Sequence, residues 1–124
     1  MSSANESAEN YLETILVLSH KLPVVRSVDI ANEMNFKKPS VSIAMRNLRE
    51  KEYIVVTEQG FIDLTAEGRR IAESIYERHQ VISGWLISLG VPEEIALEDA
   101  CKIEHDLAPE SFEAIKKHIA ECRG

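Results

Sequence analysis

The sequence predicts a mostly α fold in which a winged helix-turn-helix is followed by an α-helical domain. Apolar residues recur at helical spacing over most of the chain. Two short helical segments flank the turn at "NFKK", and a period-two hairpin, "YIVVT" and "FIDLT", follows them directly.

Residues 7–20, "SAENYLETILVLSH", set Tyr11, Leu12, Ile15, Leu16 and Leu18 at broadly helical spacing before Pro23. "SVDIANEM" (27–34) reads as a short helix with Ser27 as N-cap and Ile30, Ala31 and Met34 on its apolar face. Pro39 suits a first helical position and opens "PSVSIAMRNLREK", whose inward stripe is Val41, Met45 and Leu48. The strands at 53–57 and 61–65 then meet at "EQG", with Gly60 in the turn. Thr65 can cap a long helix, "AEGRRIAESIYERHQVISGWLISL", which Gly90 stops; Pro92 and Pro109 open a fifth and a sixth. The domains expected are 1–65 and 66–124.

With 124 residues and 44% hydrophobic content, the chain can fill a core. "MSSANESAEN" lacks the apolar region of a signal peptide, and no apolar run approaches the roughly 18 residues of a membrane span, so a cytoplasmic protein without membrane contact is expected. Cys101 and Cys122 are too few for a disulfide framework. The net charge of −7 conceals an asymmetry: residues 37–51 carry five bases and one acid, whereas 71–124 carry five bases and eleven acids. A polyanion contacted near residue 40 and a cation held further along fit that layout.

In a winged helix-turn-helix the second helix of the pair enters the major groove. Its outward positions here are Ser40, Ser42, Ile43, Arg46, Asn47 and Arg49, with Lys37 and Lys38 just before its N-terminus. Lysines and a helix N-terminus suit phosphates, Ser, Arg and Asn can reach base edges, and Arg26 and Ser27 could grip the flanking backbone. The competing readings are a solvated basic face or a protein-binding winged helix. The basic patch in an acidic chain favours double-stranded DNA.

"EDACKIEHDL" (98–107) places Cys101, Glu104 and His105 at i, i+3 and i+4, one face of a helix. The bland alternative is a small apolar cysteine packed between helices, with an exposed Glu and His. The donors nonetheless suit a divalent first-row metal, and the thiolate turns preference toward iron, cobalt, nickel or zinc and away from magnesium or calcium. Further donors stand at Asn10 and Glu13, again i and i+3, and at His79 on the long helix.

Taken together, "SAENYLETI", "SVDIANEMNFKKPSVSIAMRNLREKEYI", "LTAEGRRIAESIYERH" and "DACKIEHDL" resemble, over nearly the whole chain, the diphtheria toxin repressor and manganese transport regulator family of bacterial metal-dependent repressors. The resemblance implies a homodimer joined through a C-terminal α-helical dimerisation domain. It also implies that Fe(II) or Mn(II) binds first and a palindromic operator of metal homeostasis genes afterwards, with no small-molecule substrate and no catalytic residue. Carried over, the metal positions fall on Asn10, Glu13, His79, Cys101, Glu104 and His105. Iron-type members have Cys and Met at the positions of Cys101 and Asn10, and manganese-type members have Glu and Asp. Cys101 therefore matches the iron type and Asn10 neither, while Glu13 and His79 form the manganese-type pair, although His79 occurs in both types. The further iron-type site uses a Glu and a His where this chain has Ser83 and Leu97. The resulting expectation is Fe(II) first and Mn(II) second, in a short form without the SH3-like domain of many relatives. Two rivals stand beside it: a metal-independent or redox-sensing winged-helix repressor, and a zinc hydrolase in which "CKIEH" replaces H-x-x-E-H.

Overall fold

The computed structural model describes residues 3–123, with side chains from 6 to 122; residues 1, 2 and 124, at the ends of the expected domains, lie outside the described residues. Its elements are α1 (Ser3–Lys21), α2 (Ser27–Met34), α3 (Lys38–Glu50), β1 (Ile54–Val56), β2 (Ile62–Leu64), α4 (Ala66–Ser88), α5 (Glu93–Ile103) and α6 (Pro109–Arg123). They divide into two compact units, one ending at Ser74 and the other beginning at Ile75, so that α4 contributes to both.

In the first unit, α1, α2 and α3 close around Leu12, Ile15, Leu16, Ile30 and Val41, all at most 2% exposed, and the hairpin adds Ile54 and Ile62. Burying each such side chain contributes about 1.5–3 kcal/mol. The start of α2 differs from the expectation: Arg26 is the N-cap, and Ser27 is already helical. Asp29, three residues on, accepts the Arg26 backbone N–H at 2.9 Å, so the acid supplies the cap that Ser27 was expected to give. Asn35 ends α2 in the left-handed region at φ +57°, which asparagine tolerates, and the Phe36 N–H bonds the Ala31 carbonyl at 3.0 Å. Pro39 sits one residue inside α3, where its missing N–H still costs nothing.

The wing pairs Ile54 with Leu64, Val55 with Asp63 and Val56 with Ile62 in antiparallel register. The Ile62 N–H bonds the Val25 carbonyl at 2.8 Å and ties the wing to the segment before α2. The compact units part later than Thr65 because the first turns of α4 pack on the wing. Thr65 Oγ1 accepts the Gly68 N–H at 3.1 Å and donates to the Glu52 carbonyl at 2.7 Å. A Cβ on Gly68 would overlap the Tyr53 carbonyl, and Ala72 is fully buried.

The second unit buries Ile75, Ile82, Ala96, Ala100 and Phe112. Gly90, at φ +97°, terminates α4, and Pro92 is the N-cap of α5. Among the described residues no helix is long and apolar enough to cross a membrane.

Candidate metal centre and nucleic-acid interface

α5 is shorter than the motif it was expected to carry. It ends at Ile103, Glu104 is its C-cap, and His105 lies in the turn beyond. Glu104 keeps helical angles, φ −58° and ψ −25°, and its N–H still bonds the Ala100 carbonyl at 3.0 Å. The one-turn relation between Cys101 and Glu104 therefore survives. Burial is the reverse of the bland expectation: Glu104 and His105 are 0% and 1% exposed, whereas Cys101 is exposed.

The ligand atoms of His79, Cys101 and Glu104 lie within 4.8 Å of one another. His79 Nδ1 is 3.0 Å from Glu104 Oε2, a bond in which the imidazole donates through its Nδ1–H. Glu104 Oε1 has no hydrogen bond, although His105 Nε2 stands 3.4 Å away. A carboxylate out of water with one oxygen unsatisfied costs free energy unless positive charge meets it. An imidazole thus stands at each oxygen of this carboxylate, His79 at Oε2 and His105 at Oε1, with the Cys101 thiol close by, a donor set that fits a first-row divalent cation.

Asn10 and Glu13, half-buried, stand one turn apart on α1 in the first unit. Ser83, in place of an acidic iron-type ligand, is buried and bonds the Gln80 carbonyl at 3.4 Å, and Leu97 is exposed. Neither cysteine is in a disulfide.

On the first unit, burial of Val41, Met45 and Leu48 fixes the orientation of α3. Lys37, Lys38, Ser40, Ser42, Arg46, Asn47 and Arg49 are all exposed on it or at its N-terminus. Asn47 also lines a hollow with Ser7, Ala8, Tyr11 and Lys51, which puts it on the α1 side of that surface. Arg26 is exposed and Ser27 half-buried; the Arg26 guanidinium lies 5.1 Å from the Phe61 ring centroid, at the wing. One basic group was not among the expected contacts, Lys51, which caps α3 and extends its exposed face; Ile43, expected to face outward, is 51% exposed in the middle of it. The clustering of bases at 37–51 already contained the signal for Lys51.

Comparison with known proteins matches both parts of the chain to family models. Residues 4–60 match the family model of the iron-dependent repressor N-terminal DNA-binding domain. Residues 65–123 match that of the iron-dependent repressor metal-binding and dimerisation domain. The transcriptional regulator MntR of Escherichia coli O157:H7 is 32% identical over 90% of this chain and 72% of its own. An HTH-type transcriptional regulator of Methanocaldococcus jannaschii is 32% identical over 90% of this chain and 91% of its own. Among solved structures, the manganese regulator SloR superposes with a TM-score of 0.82 at 26% identity, covering 91% of this chain and 53% of that one. The IdeR of T. acidophilum gives 0.77 at 27% identity, covering 90% and 53%. The chain thus spans about half the length of these solved structures.

Proposed function

The chain belongs to the diphtheria toxin repressor and manganese transport regulator family, metal-dependent transcriptional repressors and not enzymes, and from that premise we propose that Mn(II) or Fe(II) bound by His79, Cys101, Glu104 and His105 promotes operator binding by α3. The observation that carries this reading is the buried Glu104 oxygen without a hydrogen bond, with a thiol and two imidazoles gathered around the same carboxylate. When bound, the cation supplies the positive charge that this carboxylate lacks. Asn10 and Glu13 enter the proposal as ligands on the sequence resemblance alone. The relatives' names favour manganese. The expected order of iron before manganese finds no support in them and rests on the Cys101 thiol.

On the DNA side, Lys37, Lys38 and the N-terminus of α3 bind phosphates, and Arg26 and Ser27 hold the flanking backbone. Ser40, Ser42, Arg46, Asn47 and Arg49 face base edges in the major groove. The operator is palindromic double-stranded DNA because the functional species is a homodimer. Exposed Ile87, Leu89, Ile95 and Ile103 on the second unit support such an interface. The genes controlled are those of metal homeostasis, and the site of action is the cytoplasm.

The test is to select binding sites from a random duplex library, then run gel shifts anaerobically with chelator, Mn(II), Fe(II) or Zn(II), on wild type, Glu104→Ala and His105→Ala. Binding that rises with metal only in wild type is the expected result. Equal binding with chelator and with metal removes the metal from the account and revives the redox-sensing reading, for which loss of binding on oxidation of Cys101 is the check.

A further inference from the structure

Arg78, the residue before His79, reaches from α4 to the turn that carries the other buried donors. Its Nη1 donates to the Glu104 carbonyl at 3.1 Å and to the Leu107 carbonyl at 2.6 Å. Its guanidinium stacks on the buried Phe112 ring of α6, with Cζ 5.3 Å from the centroid, and its Nε is buried without a hydrogen bond. The last carbonyls of a helix have no partners within it and carry the negative end of the helix dipole, so a cation there satisfies both needs. One side chain thus holds both ends of the Glu104–Leu107 turn, and the same turn of α4 presents His79 to Glu104.

We propose that Arg78 is a positioning residue for the metal centre: it fixes the backbone of the 104–107 turn so that the Glu104 and His105 side chains meet His79 and Cys101. The inference rests on the proposed metal site and adds a residue that supplies no ligand atom. A planar guanidinium braced on a ring is suited to span two carbonyls, whereas a lysine ammonium offers a point charge on a flexible stem. Partners that orient ligands typically change metal affinity by roughly 10- to 100-fold when removed.

The experiment measures Mn(II) affinity of the full chain, by the loss of the free-ion paramagnetic resonance signal, in wild type, Arg78→Met, Arg78→Lys, Glu104→Ala and the Arg78→Met/Glu104→Ala pair. Melting curves without metal confirm that each is folded at the titration temperature. Arg78→Met should weaken binding about 10- to 100-fold and Arg78→Lys by less. In the Glu104→Ala background, Arg78→Met should cost less affinity than it does in wild type, because only His105 is then left for Arg78 to position. Should Arg78→Met not fold, Arg78→Lys, alone and combined with Glu104→Ala, decides in the same way. Wild-type affinity in both Arg78 variants, or an equal loss with and without Glu104, would overturn the inference. Wild type that binds no Mn(II), and no Fe(II) in an anaerobic titration, would overturn the proposed function and this inference with it, which keeps the two failures distinct.

Discussion

Glu104→Gln keeps the volume of the side chain and removes its charge at a position that is 0% exposed. Without metal, the wild-type carboxylate has one hydrogen bond, from His79, and one oxygen with none, so neutralising it costs the metal-free chain little or even stabilises it. With metal the balance reverses. Mn(II) at a hundred times its dissociation constant stabilises a folded chain by about 2.7 kcal/mol. For a chain of this size that raises the melting temperature by roughly 10 °C. If the amide weakens binding about 100-fold, a typical penalty for losing a charged partner, the same Mn(II) concentration stabilises by only about 0.4 kcal/mol, or roughly 1–2 °C. The assay is a pair of melting curves, with chelator and with Mn(II), on wild type and Glu104→Gln. The expected signature is a metal-free variant that melts at or above wild type and hardly responds to Mn(II). A metal-free variant melting many degrees lower, with an undiminished response to Mn(II), would show that Glu104 is a structural hydrogen-bonding group and would refute the reasoning.

Three further outcomes follow from the first unit. Arg46→Ala should weaken binding to a selected operator by about 1–3 kcal/mol while leaving Mn(II) affinity unchanged; the same loss on random duplex would make Arg46 a phosphate contact. Gly68→Ala forces a Cβ into the Tyr53 carbonyl and should destabilise the chain by at least about 1–3 kcal/mol in urea unfolding; wild-type stability would mean that α4 does not press on the wing as described. Burial holds the Tyr11 phenol above its ordinary value of 10.0. The neutral phenol's contribution is therefore complete below the unfolded pKa and lost as pH rises through the higher folded one. Above pH 10, unfolding curves should show Tyr11→Phe losing less stability than wild type, and parallel losses would contradict this assignment.

Much of the fold was legible because its signals are local. The Val41, Met45 and Leu48 stripe, the period-two strands and the stops at Gly90 and Pro92 each follow from backbone or burial rules over a few residues. Caps and boundaries were less legible. Ser27 is a good N-cap by type, but Asp29 two residues later captured the Arg26 N–H, a competition that composition does not resolve. The unit boundary depends on Gly68 meeting the Tyr53 carbonyl just before β1, which no periodicity encodes.

At the metal centre, the spacing of Cys101, Glu104 and His105 was visible, whereas their burial was not. The helix was expected to run through all three, yet it ends at Ile103 and turns Glu104 and His105 inward. Arg78 had no signal at all: its partners are backbone carbonyls, which have no identity in a sequence.

The central claim is that metal and DNA binding are coupled, and fluorescence anisotropy of a labelled, selected operator against protein, with Mn(II) and with chelator at fixed ionic strength, tests it most directly. A coupling of about 1–3 kcal/mol predicts operator affinity roughly 5- to 150-fold higher with Mn(II), and no such gain in Glu104→Ala. Superimposable curves with and without Mn(II) would contradict the account.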